Sequence, residues 1–419
     1  MKLTRVLALM TLAGLATGAQ ATNGYFSHGY GMKAKGMAGA ATASSDDAFG
    51  GANNPASMAF AGNRLDLGAD LFSPIRESSR TGSAAFGGMF NGTSESNSDY
   101  FLIPEFGYNK MLNPNVALGV TVYGNGGMNT NYSPLPSGPN LLGGTGKLGV
   151  DLMQLIVAPT AAFKVAPNHS IGISPLLGYQ RFKAEGLQAF SAVSSDPANL
   201  TNRGYDHAYG YGVRIGYLGK LTPSLSIGAA YASKMNFQEF DKYKGLFAER
   251  GDFDIPENYN LGVAWQVNPS VKLALDYQRI NYSDVAAVGN ASAKSLGGVP
   301  ALGTNTGSGF GWDNVDVWKL GMEYKYTPQL TLRAGYSRSD NPISGSATGE
   351  VMFNILAPAV IKDHVTLGFT YTLPSGDEMT MAYMHAFKND VSGADPFFGG
   401  TDNIKMYQNS LGFQYSWKM

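Results

Sequence analysis

The chain contains no cysteine, so it can build neither a disulfide nor a thiolate metal site. Charge is also sparse. Only 15% of residues are charged, and the net charge is -1. That supplies no basic field to hold nucleic acid. Beyond residues 1–21 there is no run of 18 apolar residues, so no membrane helix is available. The Gly-x-Ser-x-Gly elbow and the His-Glu-x-x-His pair are both missing. The five histidines, His28, His169, His207, His364 and His385, are scattered, and no cofactor or metal is expected.

What is present lies first at the two ends. Lys2 and Arg5 precede an apolar stretch, residues 6–18, and then Ala19-Gln20-Ala21. This order predicts a secretory signal, residues 1–21, cleaved after Ala21. At the other end Phe413, Tyr415, Trp417 and Met419 alternate with Gln414, Ser416 and Lys418. Strand side chains alternate, so one face is apolar and the other polar. An exported chain with such a terminal strand predicts a bacterial outer-membrane barrel, whose apolar face meets lipid. Open sheet edges leave backbone groups unpaired in lipid, so the sheet must close.

Six Pro-bearing turns punctuate the rest, at Pro114, Pro167, Pro223, Pro269, Pro328 and Pro374. Pro cannot donate to a strand ladder, and neighbouring Asn or Ser favours a tight turn. Six hairpins plus a strand at each end predict an all-β, 14-stranded antiparallel transmembrane barrel. Its strands should start near residues 64, 99, 115, 151, 169, 205, 224, 256, 270, 312, 329, 363, 378 and 404. Both termini should then lie on the short-turn, periplasmic side. Alternation puts Arg214, Lys272, Asp276, Lys319, Glu323, Lys325 and Arg333 on the polar, inner face. A secreted soluble β-protein would alternate with the opposite sense, and the loop asymmetry argues against it.

Residues 22–62 do not alternate and are rich in Gly, Ala and Met. They are too apolar for a solvated tail, and the expected organisation is a plug over 22–62 inside a barrel over 63–419. Within them stand Gly29-Tyr30-Gly31-Met32-Lys33-Ala34-Lys35-Gly36-Met37-Ala38-Gly39-Ala40, then Asp46-Asp47-Ala48, then Asn54-Pro55-Ala56. This pattern resembles the N-terminal hatch of the FadL family, outer-membrane transporters of long-chain fatty acids and, in relatives, of aromatic hydrocarbons such as toluene. The resemblance implies a barrel closed by the hatch and a kink in the third strand that opens the wall sideways. Asn54, Pro55 and Ala56 would gate that opening together with Gly124, Asn125 and Gly126. The residues themselves leave two readings of Tyr123-Gly124-Asn125-Gly126-Gly127: a bulge within the strand, or the first residues of the next loop.

In the family, substrate first meets a groove between two outer loops. The matching loops here are residues 184–203, with Phe190, and 234–254, with Phe237, Phe240 and Phe247. The spacing in the second loop fits one face of a short helix. Self-packing of the two loops explains the same aromatics. Arg181, near an outer strand end, and Lys319, facing inward, are the candidate carboxylate contacts. The cations Arg214, Lys319, Lys325 and Arg333 are also natural partners for Asp276 or Glu323. The expected cargo is a long-chain fatty acid, with toluene or an alkane as the alternative. Outer-membrane lipid, lipopolysaccharide and the barrel assembly machinery are the other expected partners, and the chain is expected to be a monomer. It is expected not to be an enzyme. A lipase-like barrel and a general hydrophilic porin are the rival readings, the first because strand residues can build a site that no short motif shows.

Overall fold

A computed structural model describes residues 22–419; the expected signal, residues 1–21, lies outside them. Fourteen long strands build the wall: β1 (Arg64–Thr81), β2 (Phe101–Asn113), β3 (Val116–Asn129), β4 (Gly149–Ala166), β5 (His169–Glu185), β6 (Asp206–Lys220), β7 (Leu225–Ala232), β8 (Asn258–Asn268), β9 (Val271–Ile280), β10 (Val315–Lys325), β11 (Leu330–Ser339), β12 (Asp363–Thr372), β13 (Glu378–Ala394) and β14 (Thr401–Lys418). Each pairs antiparallel with the next, and β1 pairs with β14 from Arg64↔Lys418 to Thr81↔Thr401. The sheet is therefore a closed barrel. Short strands Gly92–Glu95 and Asn236–Phe237 add to β1 and β6.

The six Pro-bearing turns join β2–β3, β4–β5, β6–β7, β8–β9, β10–β11 and β12–β13 at one end. The long connections all leave the other end. The sense of the alternation is now decided. Leu71, Leu118, Ile173, Leu261, Trp318, Leu367 and Phe413 are exposed on the outer surface, while Asp70, Ser174, Lys319, Thr366 and Gln414 are buried. A soluble barrel would bury the first set. An apolar exterior around the full circumference is the surface of a lipid-facing barrel. Lys325 has inward parity but lies at a strand end and is exposed.

Residues 22–62 fill the lumen, with most of their side chains buried. The plug is held by charge as well as by shape. Lys35 reaches Asp70 at 2.9 Å and Glu105 at 2.7 Å, Lys33 reaches Glu378 at 2.6 Å, and Asp46 reaches Lys272 at 2.8 Å. Inward Glu323 is taken by Arg333 at 2.7 Å, while Asp276 accepts the Ala41 and Thr42 backbone N–H groups. The plug approaches the wall at glycines. A Cβ on Gly216 would collide with the Asn54 side chain, and one on Gly126 with the Tyr25 carbonyl.

The two ends of the described residues sit apart. Met419 donates its backbone N–H to Asn63 beside the short-turn end. Thr22 to Phe26, however, sit inside the lumen among long-loop residues. The Tyr25 ring packs on Tyr282, Trp312 and Phe253, and the Tyr282 hydroxyl donates to the Asn23 carbonyl. That aromatic seat holds the start of the described chain away from the short-turn end.

Candidate functional site

The wall is not stitched evenly. The β2–β3 ladder runs from Asn113↔Val116 only as far as Phe106↔Val122. Past that point, among the wall strands, Phe101 to Glu105 pair only with β1, and Tyr123 to Asn129, apart from Asn125, pair only with β4. The cause is local. The β3–β4 register shifts between Gly124 and Gly126, so Asn125 is an extra residue in its strand. Bulges bend the strand that carries them, and glycine on both sides makes the bend cheap. The five residues 123–127 belong to the strand and are not the start of a loop.

The plug occupies the gap that this bend leaves. Ser27 donates its N–H to the Asn125 carbonyl at 3.1 Å, and Gly127 donates to the Tyr25 carbonyl at 3.1 Å. Phe26 thus bridges Gly126 as a single rung of sheet. The Tyr30 hydroxyl donates to the Asn125 carbonyl at 3.1 Å, and its ring meets Tyr123 edge-on at 4.7 Å. On the opposite lip, Glu105 accepts the Gly31 N–H at 2.9 Å and pairs with Lys35. Residues 25–35 therefore tie both lips of the seam together. Burial opposes the charge on Lys35, but Asp70 and Glu105 outweigh it and raise its pKa. Asp47, deeper in the plug, is pushed up to about 7 by burial and then by the Asp66 carboxylate.

This is a barrel with a plug and a sideways break in its wall. The sequence matches the family described as outer membrane protein transport protein (OMPP1/FadL/TodX) over residues 8–408. The chain belongs to this family. Among solved structures, the toluene transporter TodX of P. putida is similar at 19% identity and TM-score 0.69, covering 94% of this chain and 99% of that one. A Pseudomonas aeruginosa FadL homologue is similar at 16% identity and TM-score 0.70, with 94% and 99% covered. The Ralstonia pickettii toluene transporter TbuX is similar at 17% identity and TM-score 0.63, again over 94% and 99%. At these identities the likeness is one of fold. No curated protein matches the sequence.

In this FadL-type barrel Asn54 and Asn125, both expected at the gate, bond to different partners. Asn54 is extended (φ -146°, ψ 109°), as the following Pro55 demands. It caps the 3-10 helix Pro55–Phe60 by accepting the Ala56 N–H at 3.1 Å. Its amide donates to the Thr42 and Tyr217 carbonyls, each at 2.8 Å. It therefore seats the plug on β6, where Gly216 leaves room, and Ala56 bonds Ser170 of β5 through its carbonyl. Asn125 is taken by Tyr30 and Gln154 instead. Gly124, Asn125 and Gly126 form the bulge itself. Tyr30 and Glu105 were missed; Tyr30 lies inside the quoted motif, and Glu105 has the inward parity of its strand.

The outer-loop aromatics form a core rather than an open groove. Phe240 and Phe247 are buried and pack on Phe182 at 5.5 and 4.7 Å. Phe190 is buried against Phe353 and Phe397, each at 5.7 Å. Phe237 is half-buried over Gly178 and Gly210. The expected helix is broken into single turns, because Asn236–Phe237 pairs with β6 and Glu249 and Arg250 have positive φ. Nearby, burial and the Asp254 carboxylate push Asp252 up to about 8.

The two candidate cations part company. Arg181 has the outward parity of Tyr179 and lies against the Tyr205 ring at 4.3 Å, with Asp151 at 3.9 Å, so it is placed outside the lumen. Lys319 is buried and donates to the His28 carbonyl at 3.2 Å. It shares a small polar cavity with Arg214, Ser27, Tyr30 and Asn260. Neither it nor Arg214 enters an ion pair among the described residues.

Proposed function

We propose that this chain is a passive outer-membrane channel whose cargo is long-chain fatty acid, released sideways through the β2–β3 seam. The observation that carries the reading is the seam: the wall lacks its own rungs above Phe106↔Val122, and movable plug residues supply the closure. A hydrophobic molecule must cross a polar saccharide layer outside and must not be forced through water inside. Capture at the long-loop end, transit along the plug and exit into the bilayer solve both problems. Phe397, 42% exposed and in contact with buried Phe190, offers apolar surface at the entrance, and half-buried Phe237 offers a second patch. Phe240 and Phe247 support these surfaces from beneath.

A carboxylate entering an apolar lumen loses hydration and needs a charged partner. Lys319 supports an acid as cargo, because it meets the plug from β10 with the His28 carbonyl as its hydrogen-bond partner rather than a carboxylate. Neutral hydrocarbon is the second reading; it needs the same seam and leaves Lys319 a structural cation. The deciding experiment is binding and growth. A deletion strain should lose growth on oleate and keep it on toluene, and Lys319→Met should weaken oleate binding at least ten-fold while leaving an alkane of equal length little changed. Alkane binding without oleate binding in the wild type would make the cargo a neutral hydrocarbon.

A further inference from the structure

The outward face of β5 and β6 changes character along its length. From the short-turn end it carries Ile171, Ile173, Leu177 and Ile215, all exposed and aliphatic. Toward the long-loop end the same face turns aromatic and then basic. The register sets Tyr179 beside Tyr209 and Arg181 beside His207. Lys183 is the next outward residue of β5, and Tyr205 stands just before β6. Tyr209 is 63% exposed and Tyr211 68%. Aliphatic, then tyrosine, then cation is the order met on passing from hydrocarbon through the interface to the headgroups. Long loops face outward in outer-membrane barrels, so this is the edge of the outer leaflet.

The cations at this edge are held in place more than they are neutralised. The Arg181 guanidinium stacks on the Tyr205 ring at 4.3 Å, and Lys183 Nζ lies 5.4 Å from the same ring. Most carboxylates around them answer other donors. Asp151 accepts the Tyr205 hydroxyl at 2.6 Å and stands 3.9 Å from Arg181, beyond hydrogen-bond reach. Asp206 accepts the backbone N–H groups of His207 and Lys242. Lys183 alone has a close ion pair, with Glu185 at 3.0 Å. Arg203 and Lys242 are exposed and enter no ion pair among the described residues; Lys242 Nζ donates to the Tyr205 carbonyl instead. A guanidinium stacked on a ring keeps its N–H edge for an anion.

We infer that this edge of the wall is a docking surface for the phosphorylated saccharide headgroup of an outer-leaflet glycolipid, lipopolysaccharide, with a phosphate held by Arg181 and Lys183 and the acyl chains lying along Tyr209, Tyr211 and Leu177. Two features select this occupant. A phosphate accepts charge-assisted bonds from a guanidinium edge and an ammonium together. Directly below, the face is continuous with the lipid-facing exterior, so one amphipathic molecule covers both halves. A second copy of the chain docked through the same face would set these cations against their own kind, and like charges across an interface are unfavourable. Arg203 and Lys242 belong to the two long outer loops, so one headgroup ties both loops to the wall. Arg181, excluded from the lumen by its outward parity, gains its role here, and the role holds whichever cargo the channel carries.

The test uses the full-length protein in detergent micelles, read by native mass spectrometry, with bisphosphorylated lipid A and its phosphate-free counterpart as probes. The unaltered protein should retain bisphosphorylated lipid A at a concentration at least ten-fold below that needed for the phosphate-free form. Arg181→Met with Lys183→Met should weaken the phosphorylated probe at least ten-fold and the phosphate-free probe less than three-fold. Arg181→Lys with Lys183→Arg, which keeps both charges, should recover most of the loss. Lys325→Met, which removes an exposed cation at the short-turn end, should leave both probes unchanged. Heat-modifiable migration checks that each barrel is closed; should the double Met variant not fold, Arg203→Gln with Lys242→Gln on the loops carries the same comparison. Equal weakening of the two probes, or none, would make Arg181 and Lys183 structural partners of Tyr205 and overturn the inference. Equal weakening by Lys325→Met would reduce the attraction to net charge and overturn it too. A dimer that the double Met variant dissolves, with no lipid A retained, would give the face to a second copy instead.

Discussion

Asn54 uses its side chain in three directions at once, as cap to Ala56 and as donor to Thr42 and Tyr217. Asn54→Ala should cost about 1 kcal/mol through the cap alone, and it also orphans two buried carbonyls. The expected outcome is lower uptake with normal heat-modifiable barrel folding, because no wall rung is touched. Gly216→Val should act from the other side, since its side chain would occupy the Asn54 position. Unchanged uptake in both variants would remove Asn54 from the gate. At this scale the sequence was partly legible. Asn54-Pro55 carried the extended torsion, because proline restricts its neighbour whatever the fold. It did not give Tyr217 as partner, since contacts across a lumen depend on which strand lies opposite. Arg181 shares the outward parity of Tyr179 along β5, which places it outside the lumen.

The N-terminal segment adds a short strand fragment to the wall where it meets the bulge. Phe26 and Gly126 form the single antiparallel rung, and beside it Ser27 donates its N–H to the Asn125 carbonyl at 3.1 Å; the next pair of such a ladder is spaced about 5.5 Å between Cα atoms, within the reach of a disulfide. The chain has no cysteine of its own, so Ser27→Cys with Asn125→Cys gives one defined cross-link. Oxidation should abolish uptake and reductant should restore it, while either single variant transports. Transport by the oxidised protein would show that this rung need not open. Element boundaries were the most legible part of the sequence. β1, β5, β12 and β13 start where alternation places them, at Arg64, His169, Asp363 and Glu378. β2, β4, β10 and β14 start within a few residues of expectation, and the Pro-bearing turns fix the phase. The second outer loop was misread, because apolar spacing that fits a helix also fits a loop folding over its own aromatics. Phe182, the centre of that core, belongs to a strand and carried no loop signal.

For the whole molecule, the filled lumen predicts electrical silence. Planar bilayers holding the wild-type protein should show little steady conductance. Lys35→Met together with Tyr30→Phe, which cuts a stitch on each lip, should produce brief openings without unfolding. Steady porin-like conductance in the wild type would contradict a lumen packed as described. The uneven ladder has a mechanical consequence as well. The β6–β7 ladder has seven residue pairs but Asn236–Phe237 adds two more on β6, and β1 and β14 share 18, whereas β2 and β3 share only seven. A hoop under load parts where its cross-section is thinnest, so strain from bilayer thickness, curvature or lateral pressure concentrates on those seven pairs and on the plug residues beside them. The bilayer that receives the cargo thereby bears on how wide the slit gapes, and membranes of different composition become a control on throughput with no contact at the entrance at all.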